Sequence, residues 1–369
     1  VNGHYLSDNL TYKWIESNIR ETYQLLQILL LYFKNLEPTM DIILQLLNLF
    51  QENGFGTRFS FKQNPSLLTG SIGSCLKLIG FLESLVIIEC LQLDWLYKCV
   101  DQDISDHHLL KDSAKFSKLD QMINQNYTHL QQYSPILLAW MIVKSWNLPG
   151  IQSQSDAKCI EQLGLCALNY NVFGYLNECV NDDLIVEIES TQVGRVIKKV
   201  IADLLSINFS IYSTDMVSEN LKVLYQLTAF VLNDNEVAET MFEKGQDCGL
   251  MSIYSRSLQS FPLDLPPFVD LSVALAKTSC LNKMLESLFS LTRFTEKFGP
   301  HLLLLVRVEG DNIYKLIKDR SVCNRSSLMI KHGTFAFLSQ REPSQIYITW
   351  ENVDINGLLV LDAIYEEKL

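Results

Sequence analysis

The sequence contains no run of about 18 apolar residues, the length a membrane span requires. Its most apolar helical stretch, 25–33, is interrupted by Gln27 and followed by Lys34, and the stretch 72–93 is broken by Lys77, Glu83 and Glu89. Both are expected as buried helices of a soluble protein. Basic residues are scarce: 30 Lys and Arg stand against 42 Asp and Glu, for a net charge of −12. Duplex binding needs clustered cations to displace counterions, so nucleic-acid binding is not expected. The nearest approach to a cluster, Arg195, Lys198 and Lys199, reads as the solvated edge of a helix.

No Cys-x-x-Cys spacing occurs among the nine cysteines (Cys75, Cys90, Cys99, Cys159, Cys166, Cys179, Cys248, Cys280 and Cys323). Their odd number and mostly apolar neighbours favour buried free thiols in a reducing compartment over a disulfide framework. No secretory signal leads the chain, which starts at Val1 and reads as a segment of something longer. The sequons at Asn9, Asn126, Asn208 and Asn324 therefore carry no weight.

Catalytic patterns are missing too. Gly54-Phe55-Gly56 and Gly70-Ser71-Ile72-Gly73 lack the Lys-Ser/Thr pair and the full glycine pattern of phosphate loops, so turns and caps are expected there. His107-His108, with Asp101, Asp103 and Asp106, is the densest group of potential metal ligands. Adjacent histidines diverge on a helix and no ligand pair follows at i, i+4, so a solvated helix start is expected. No glycine-rich elbow surrounds any Cys or Ser, so a thiol hydrolase has no local support. Neither a catalytic residue, a metal nor a cofactor is assigned.

What remains is apolar: 48% of residues are hydrophobic and 20% charged, a folded composition. Helical periodicity dominates to about residue 298. Leu281, Met284, Leu285, Leu288 and Phe289 lie on one helical face. Leu25, Leu26, Leu29, Leu30 and Phe33 form a wider stripe, as do Ile42, Ile43, Leu46, Leu47 and Phe50; that width suggests helices packed on two sides. Start and stop signals put a helix from Pro38 to Asn53-Gly54 and another from Ser134-Pro135 to Trp146. Others should start at Asp156 and Asn171, occupy 191–206, 217–232, 236–244 and 249–260, open at Pro266-Pro267, and run from Leu281 to Phe294. Short links make neighbours antiparallel. Such a chain is a compact bundle or a solenoid, and single cores rarely reach 300 residues, so an irregular α-solenoid of the HEAT/ARM kind is favoured over 1–299. After Gly299-Pro300 the pattern changes. The segments 301–308, 333–338, 346–350 and 358–361 look like strands, so 300–369 is expected as a small β-rich element, a barrel among the options.

Two blocks then look familiar. Residues 14–59 join the helix "QLLQILLLYF" to "LEPTMDIILQLLNLFQENGFGTR", and 134–180 read "SPILLAWMIVKSW" and "LGLCALNYNVFGYLNECV". Together they resemble the amino-terminal part of the nucleoporin 188 family, very large scaffold proteins of the nuclear pore's inner ring. The resemblance runs through most of 5–300, while 101–126 and 181–260 match in helical character only. It implies a solenoid at the nuclear pore complex that binds linker nucleoporins and adjacent scaffold subunits, with transport receptors as further partners, and no catalysis. For 300–369 it implies a small SH3-like barrel, which "HGTFAFLS" and "IYITWEN" fit loosely. The FG dipeptides Phe55-Gly56, Phe173-Gly174 and Phe298-Gly299 lie in or beside apolar helices and should be packed. An importin-like transport receptor shares the charge and helix pattern and stands as the alternative.

Overall fold

A computed structural model describes residues 8–57, 70–98, 107–125, 131–146, 154–211, 221–298, 305–308, 313–322, 328–342, 345–351 and 354–368. The chain is mainly helical, with a small antiparallel sheet towards its C-terminus. It divides into two compact units, 1–227 and 228–369.

In the first unit the helices are α1 (Asp8–Asn35), α2 (Met40–Glu52), α3 (Gly70–Cys90), α4 (Leu93–Lys98), α5 (Ser113–Gln125), α6 (Ser134–Trp146), α7 (Gln154–Asn169), α8 (Val172–Val180), α9 (Asp183–Ile188) and α10 (Gln192–Ile211). The unit boundary falls within α11 (Leu221–Leu232). The centre is α3. Leu78, Ile79, Phe81, Leu82, Leu85, Val86 and Ile87 occupy its whole circumference, and none retains measurable exposure. A helix apolar all round must be enclosed, and α1, α2, α6, α8 and α10 pack against it.

The second unit holds α12 (Asn235–Lys244), α13 (Gly249–Ser260), α14 (Leu265–Ala276) and α15 (Leu281–Ser290). Each packs on its sequence neighbour. Asp234 caps α12 by accepting from the Glu236 and Val237 amides, and Pro266-Pro267 open α14 where their missing N–H groups leave no bond unmade. The strands β1 (Arg293–Phe298), β2 (Leu305–Arg307), β3 (Ile313–Leu316), β6 (Phe335–Glu342) and β7 (Gln345–Glu351) form one antiparallel sheet ordered β1-β7-β6-β3-β2. The short strands β4 (Arg320–Ser321) and β5 (Met329–Ile330) pair separately. One face of the larger sheet is its core, with Phe294, Leu316, Ala336, Ile348 and Trp350 buried. The Trp350 indole donates to Glu296 Oε2 (3.2 Å), so the largest side chain of this core has its polar atom satisfied.

The helices from α6 to α14 fall within a few residues of their sequence signals, and α9, which those signals did not reveal, is short and capped by Asp182. Three expectations about elements fail. The helix from Leu281 stops at Ser290, and β1 begins at Arg293, because Phe294 and Thr295 pair with Trp350 and Thr349 across the sheet. The strand expected at 358–361 is a helix, α16 (Gly357–Lys368). Asn356 starts it by accepting from the Leu359 amide, and Val360 and Ala363 bury one face at helical spacing. A short apolar run cannot by itself distinguish the two structures. The region of His107-His108 is a buried turn and not a solvated helix start.

Candidate functional site: a locked corner and an uncovered helix

The Gly54-Phe55-Gly56 corner sets the geometry of the first unit. Gly54, Phe55 and Gly56 all take positive φ (60°, 49° and 75°). Asn53, which closes α2, stays right-handed. The reversal drives Phe55 into the interior, edge-on to Phe50 and Tyr133. A positive φ on an aromatic residue is strained and needs packing to hold it. Here the packing includes backbone on backbone: a Cβ on Gly80 of α3 would meet the Phe55 carbonyl oxygen, and one on Gly56 would lie 2.9 Å from the Leu76 carbonyl oxygen. Gln51 donates to the Met122 carbonyl (3.2 Å) and the Tyr133 hydroxyl to the Ile123 carbonyl (3.3 Å), so α2, α3 and α5 are fixed against one another.

Several ionisable groups are buried around this frame. The Glu83 carboxyl is 2% exposed, and its Oε2 has no hydrogen-bond partner. Burial raises its pKa to about 8, against a weaker opposing hydrogen bond from Asn53. At neutral pH it is held mostly as the neutral acid. Lys34, Glu89, Asp94, Lys199 and Asp203 gather charges from α1, α3, α4 and α10, with Lys34 Nζ 3.9 Å from Glu89 and Lys199 Nζ 4.0 Å from Asp94. Desolvation dominates here too, raising Glu89, raising Asp203 to about 8, and lowering Lys34. Lys198, expected on a solvated edge, is 5% exposed and bonded to Glu189 (2.8 Å); of that basic trio only Arg195 is exposed. The lysine side chain faces inward because Val196, Ile197, Val200 and Ile201 already bury most of the circumference of α10.

His107 and His108 stack on each other (4.5 Å between ring centres), with Trp95 beside His107. The His108 Nε2 bonds to the Cys90 carbonyl (3.2 Å) and therefore carries the proton. Burial lowers both pKa values, that of His107 to about 3. Asp101, Asp103 and Asp106 lie outside the described residues, and no grouping of three or more potential metal ligands occurs among those described. The glycines of 70–73 open α3, the first turn of a helix.

Seven free thiols are described: Cys75, Cys90, Cys179, Cys248 and Cys280 are buried, Cys166 is half-buried and Cys159 is exposed. Cys99 and Cys323 lie outside the described residues. Burial raises the pKa of Cys75 and Cys90, and that of Cys179 to about 12, the reverse of an activated thiolate. With a thiol-reactive probe at pH 7.5, Cys159 should react first under native conditions, and the five buried cysteines only on denaturation. Mass spectrometry of the labelled sites reads this directly, and fast native labelling of a buried cysteine would contradict the packing described. Of the FG dipeptides, Phe55 and Phe173 are fully packed, and the Phe298 side chain and Gly299 lie outside the described residues.

Among the described residues, the outer face of α1 carries a long row of exposed apolar side chains. Ile19, Leu26, Leu30 and Phe33 bury the inner face against α3 and α10. On the opposite side Leu10, Trp14, Leu25, Ile28, Tyr32 and, just beyond the helix, Leu36 remain 50–65% exposed. Full burial of one such side chain is worth about 1.5–3 kcal/mol, so roughly half that remains unrealised at each position. The broad stripe in the sequence thus has one side filled and one side open. In α2 likewise Ile43, Leu47 and Phe50 are buried while Ile42 and Leu49 are exposed. The second unit has a lesser apolar face, where Val306, Phe335 and Phe337 stand on the solvent side of the sheet and Lys315 lies over the Phe335 ring. No helix among the described residues is long and apolar enough to cross a membrane.

A nucleoporin NUP188 of Xenopus tropicalis is 23% identical over 82% of this chain. One from Homo sapiens is 24% identical over 48%, and one from Drosophila melanogaster is 22% identical over 72%. The aligned segments span 17%, 10% and 13% of those relatives, so the chain corresponds to a small fraction of their length. The profile of the family described as nucleoporin Nup188, N-terminal, matches residues 4–273, most of the chain. The chain therefore belongs to the Nup188 amino-terminal family and is a nucleoporin, a constituent of the nuclear pore complex at the nuclear envelope.

Proposed function

We propose that the chain is a structural scaffold segment of the pore's inner ring, working by protein–protein binding without turnover. It would hold linker nucleoporins and neighbouring scaffold subunits and so support nucleocytoplasmic transport. The observation that carries this reading is the outer face of α1: a helix rigidly seated through one side and apolar on the other. Aligned apolar anchors on a fixed helix suit an amphipathic partner helix. The sequence neighbours α12 to α15, each packed on the next, favour an irregular solenoid as the architecture. The short antiparallel strands, with first and last strands β1 and β7 paired, favour an SH3-like element. In this reading the helical segment expected over 1–299 lends its last strand-forming residues to the β-rich element expected over 300–369.

A fluorescently tagged full-length protein should mark the nuclear rim, co-purify with inner-ring nucleoporins and recover from photobleaching over hours. Absence from the rim, or exchange within seconds, would overturn the scaffold reading and return an importin-like receptor to the front.

A further inference from the structure

We propose that the outer face of α1 docks one amphipathic helix of another protein, and that this helix carries a basic residue at its midpoint. The inference rests on the scaffold reading and specifies its partner. The face has two apolar ends, Leu10 and Trp14 at one and Leu25, Ile28, Tyr32 and Leu36 at the other. Between them the exposed residues on this face are polar, Ser17, Asn18 and Glu21, with Arg20 and Gln24 exposed towards its flank. Asn18 is turned back onto the Trp14 carbonyl (2.8 Å), leaving Glu21 as the charged group of the notch. Glu21 has no ion-pair partner among the described residues, while the neighbouring Glu16 is held by Arg20 (3.0 Å) on the flank.

The charge decides among occupants. At 1.5 Å per residue the 28-residue helix is about 42 Å long, and Glu21 stands at its centre. A second copy docked antiparallel about that centre would oppose Glu21 to itself, and parallel docking in register does the same. Each copy also carries a net charge of −12, which adds repulsion. An acidic helix meets the same obstacle. A helix with apolar residues at i, i+3/i+4 and i+7 towards both ends and one central Lys or Arg buries both apolar ends and places its cation on Glu21.

The test uses purified full-length protein and two synthetic peptides of 28 residues, matching α1 in length. Both have leucines along one face and alanine and glutamine elsewhere; one has lysine at the centre of the face and the other glutamate. Fluorescence anisotropy should show the lysine peptide binding roughly threefold to tenfold more tightly. Glu21→Lys should reverse that order, and Ile28→Asp should weaken the lysine peptide about tenfold or more. Both positions are exposed, and circular dichroism melts check that the variants fold; if Ile28→Asp does not, the Glu21→Lys reversal decides alone. Failure of both peptides to bind, an order unchanged by Glu21→Lys, or binding indifferent to a folded Ile28→Asp would overturn the proposal. So would a wild-type dimer in sedimentation that Ile28→Asp dissociates, which would make a second copy the occupant. Rim localisation separates the levels: a protein at the rim that binds neither peptide sinks this inference alone, and a protein absent from the rim sinks the scaffold reading beneath it.

Discussion

Glu83→Gln should stabilise the protein at pH 8 by about 2–4 kcal/mol and remove part of the fall in stability between pH 4.5 and 8. Glu83 sits near the middle of α3, 2% exposed, with one carboxyl oxygen lacking a partner. Its pKa is raised to about 8 in the folded chain and is near 4.3 when unfolded. The folded state therefore binds the extra proton. The neutral acid carries no penalty below pH 4.5, stability declines as pH rises towards 8, and above 8 the loss is complete. Glutamine imitates the neutral acid at every pH. Glu89 and Asp203 are raised by burial too and give a residual slope of the same sign. Denaturant titrations of both proteins at pH 5, 7 and 8.5 would measure this. Equal pH dependence in both would show that Glu83 is solvated or paired with a cation.

Gly80→Ala should be destabilising by about 3 kcal/mol, lowering Tm by roughly 6–12 °C. In a typical helix interior the same change is favourable by about 0.5–1 kcal/mol, because glycine loses more backbone entropy on folding. The difference lies in what the methyl group meets. It would lie against the Phe55 carbonyl oxygen, and Phe55 cannot retreat, since its ring is enclosed by Phe50 and Tyr133 and its backbone reverses through two glycines. The clash therefore outweighs the propensity gain. Gly245→Ala provides the contrast: its φ is positive, at 56°, where Gly80 is helical, but nothing stands within 4 Å of its Cβ, so only backbone strain applies. Thermal melts by circular dichroism separate the two, and a neutral or stabilising Gly80→Ala would mean that the corner does not press on α3.

Much of the helical plan was legible because periodicity and punctuation are local. Pro266-Pro267, the Ser134-Pro135 start and the stripe from Leu281 are written in consecutive residues, and the helices follow them. Partnership is not local. Nothing within Leu25–Phe33 distinguishes Leu26, which is buried, from Leu25, which meets solvent; both belong to the same broad stripe. Lys198 and His107 are buried against expectation for the complementary reason. Polar residues are expected outside, and only the tertiary arrangement supplied Glu189 for the lysine and Trp95 with His108 for the histidine. The run at 358–361 has the length of a strand, and only the Asn356 cap and the burial of Val360 and Ala363 made it a helix. The corner at 54–56 was legible as a fixed reversal from its glycines, but its tight seat against Gly80 was not, because the two segments are separated in the chain.

Hydroxyl-radical footprinting with mass spectrometry, on the purified protein and on isolated nuclear pores, addresses the binding role most directly. Trp14 and Tyr32 should be oxidised readily in the free protein and become protected in the pore, while buried Tyr133 stays unreactive in both. Equal oxidation of Trp14 and Tyr32 in the two states would show that α1 meets no partner in the assembly, contrary to a helix held in place for docking.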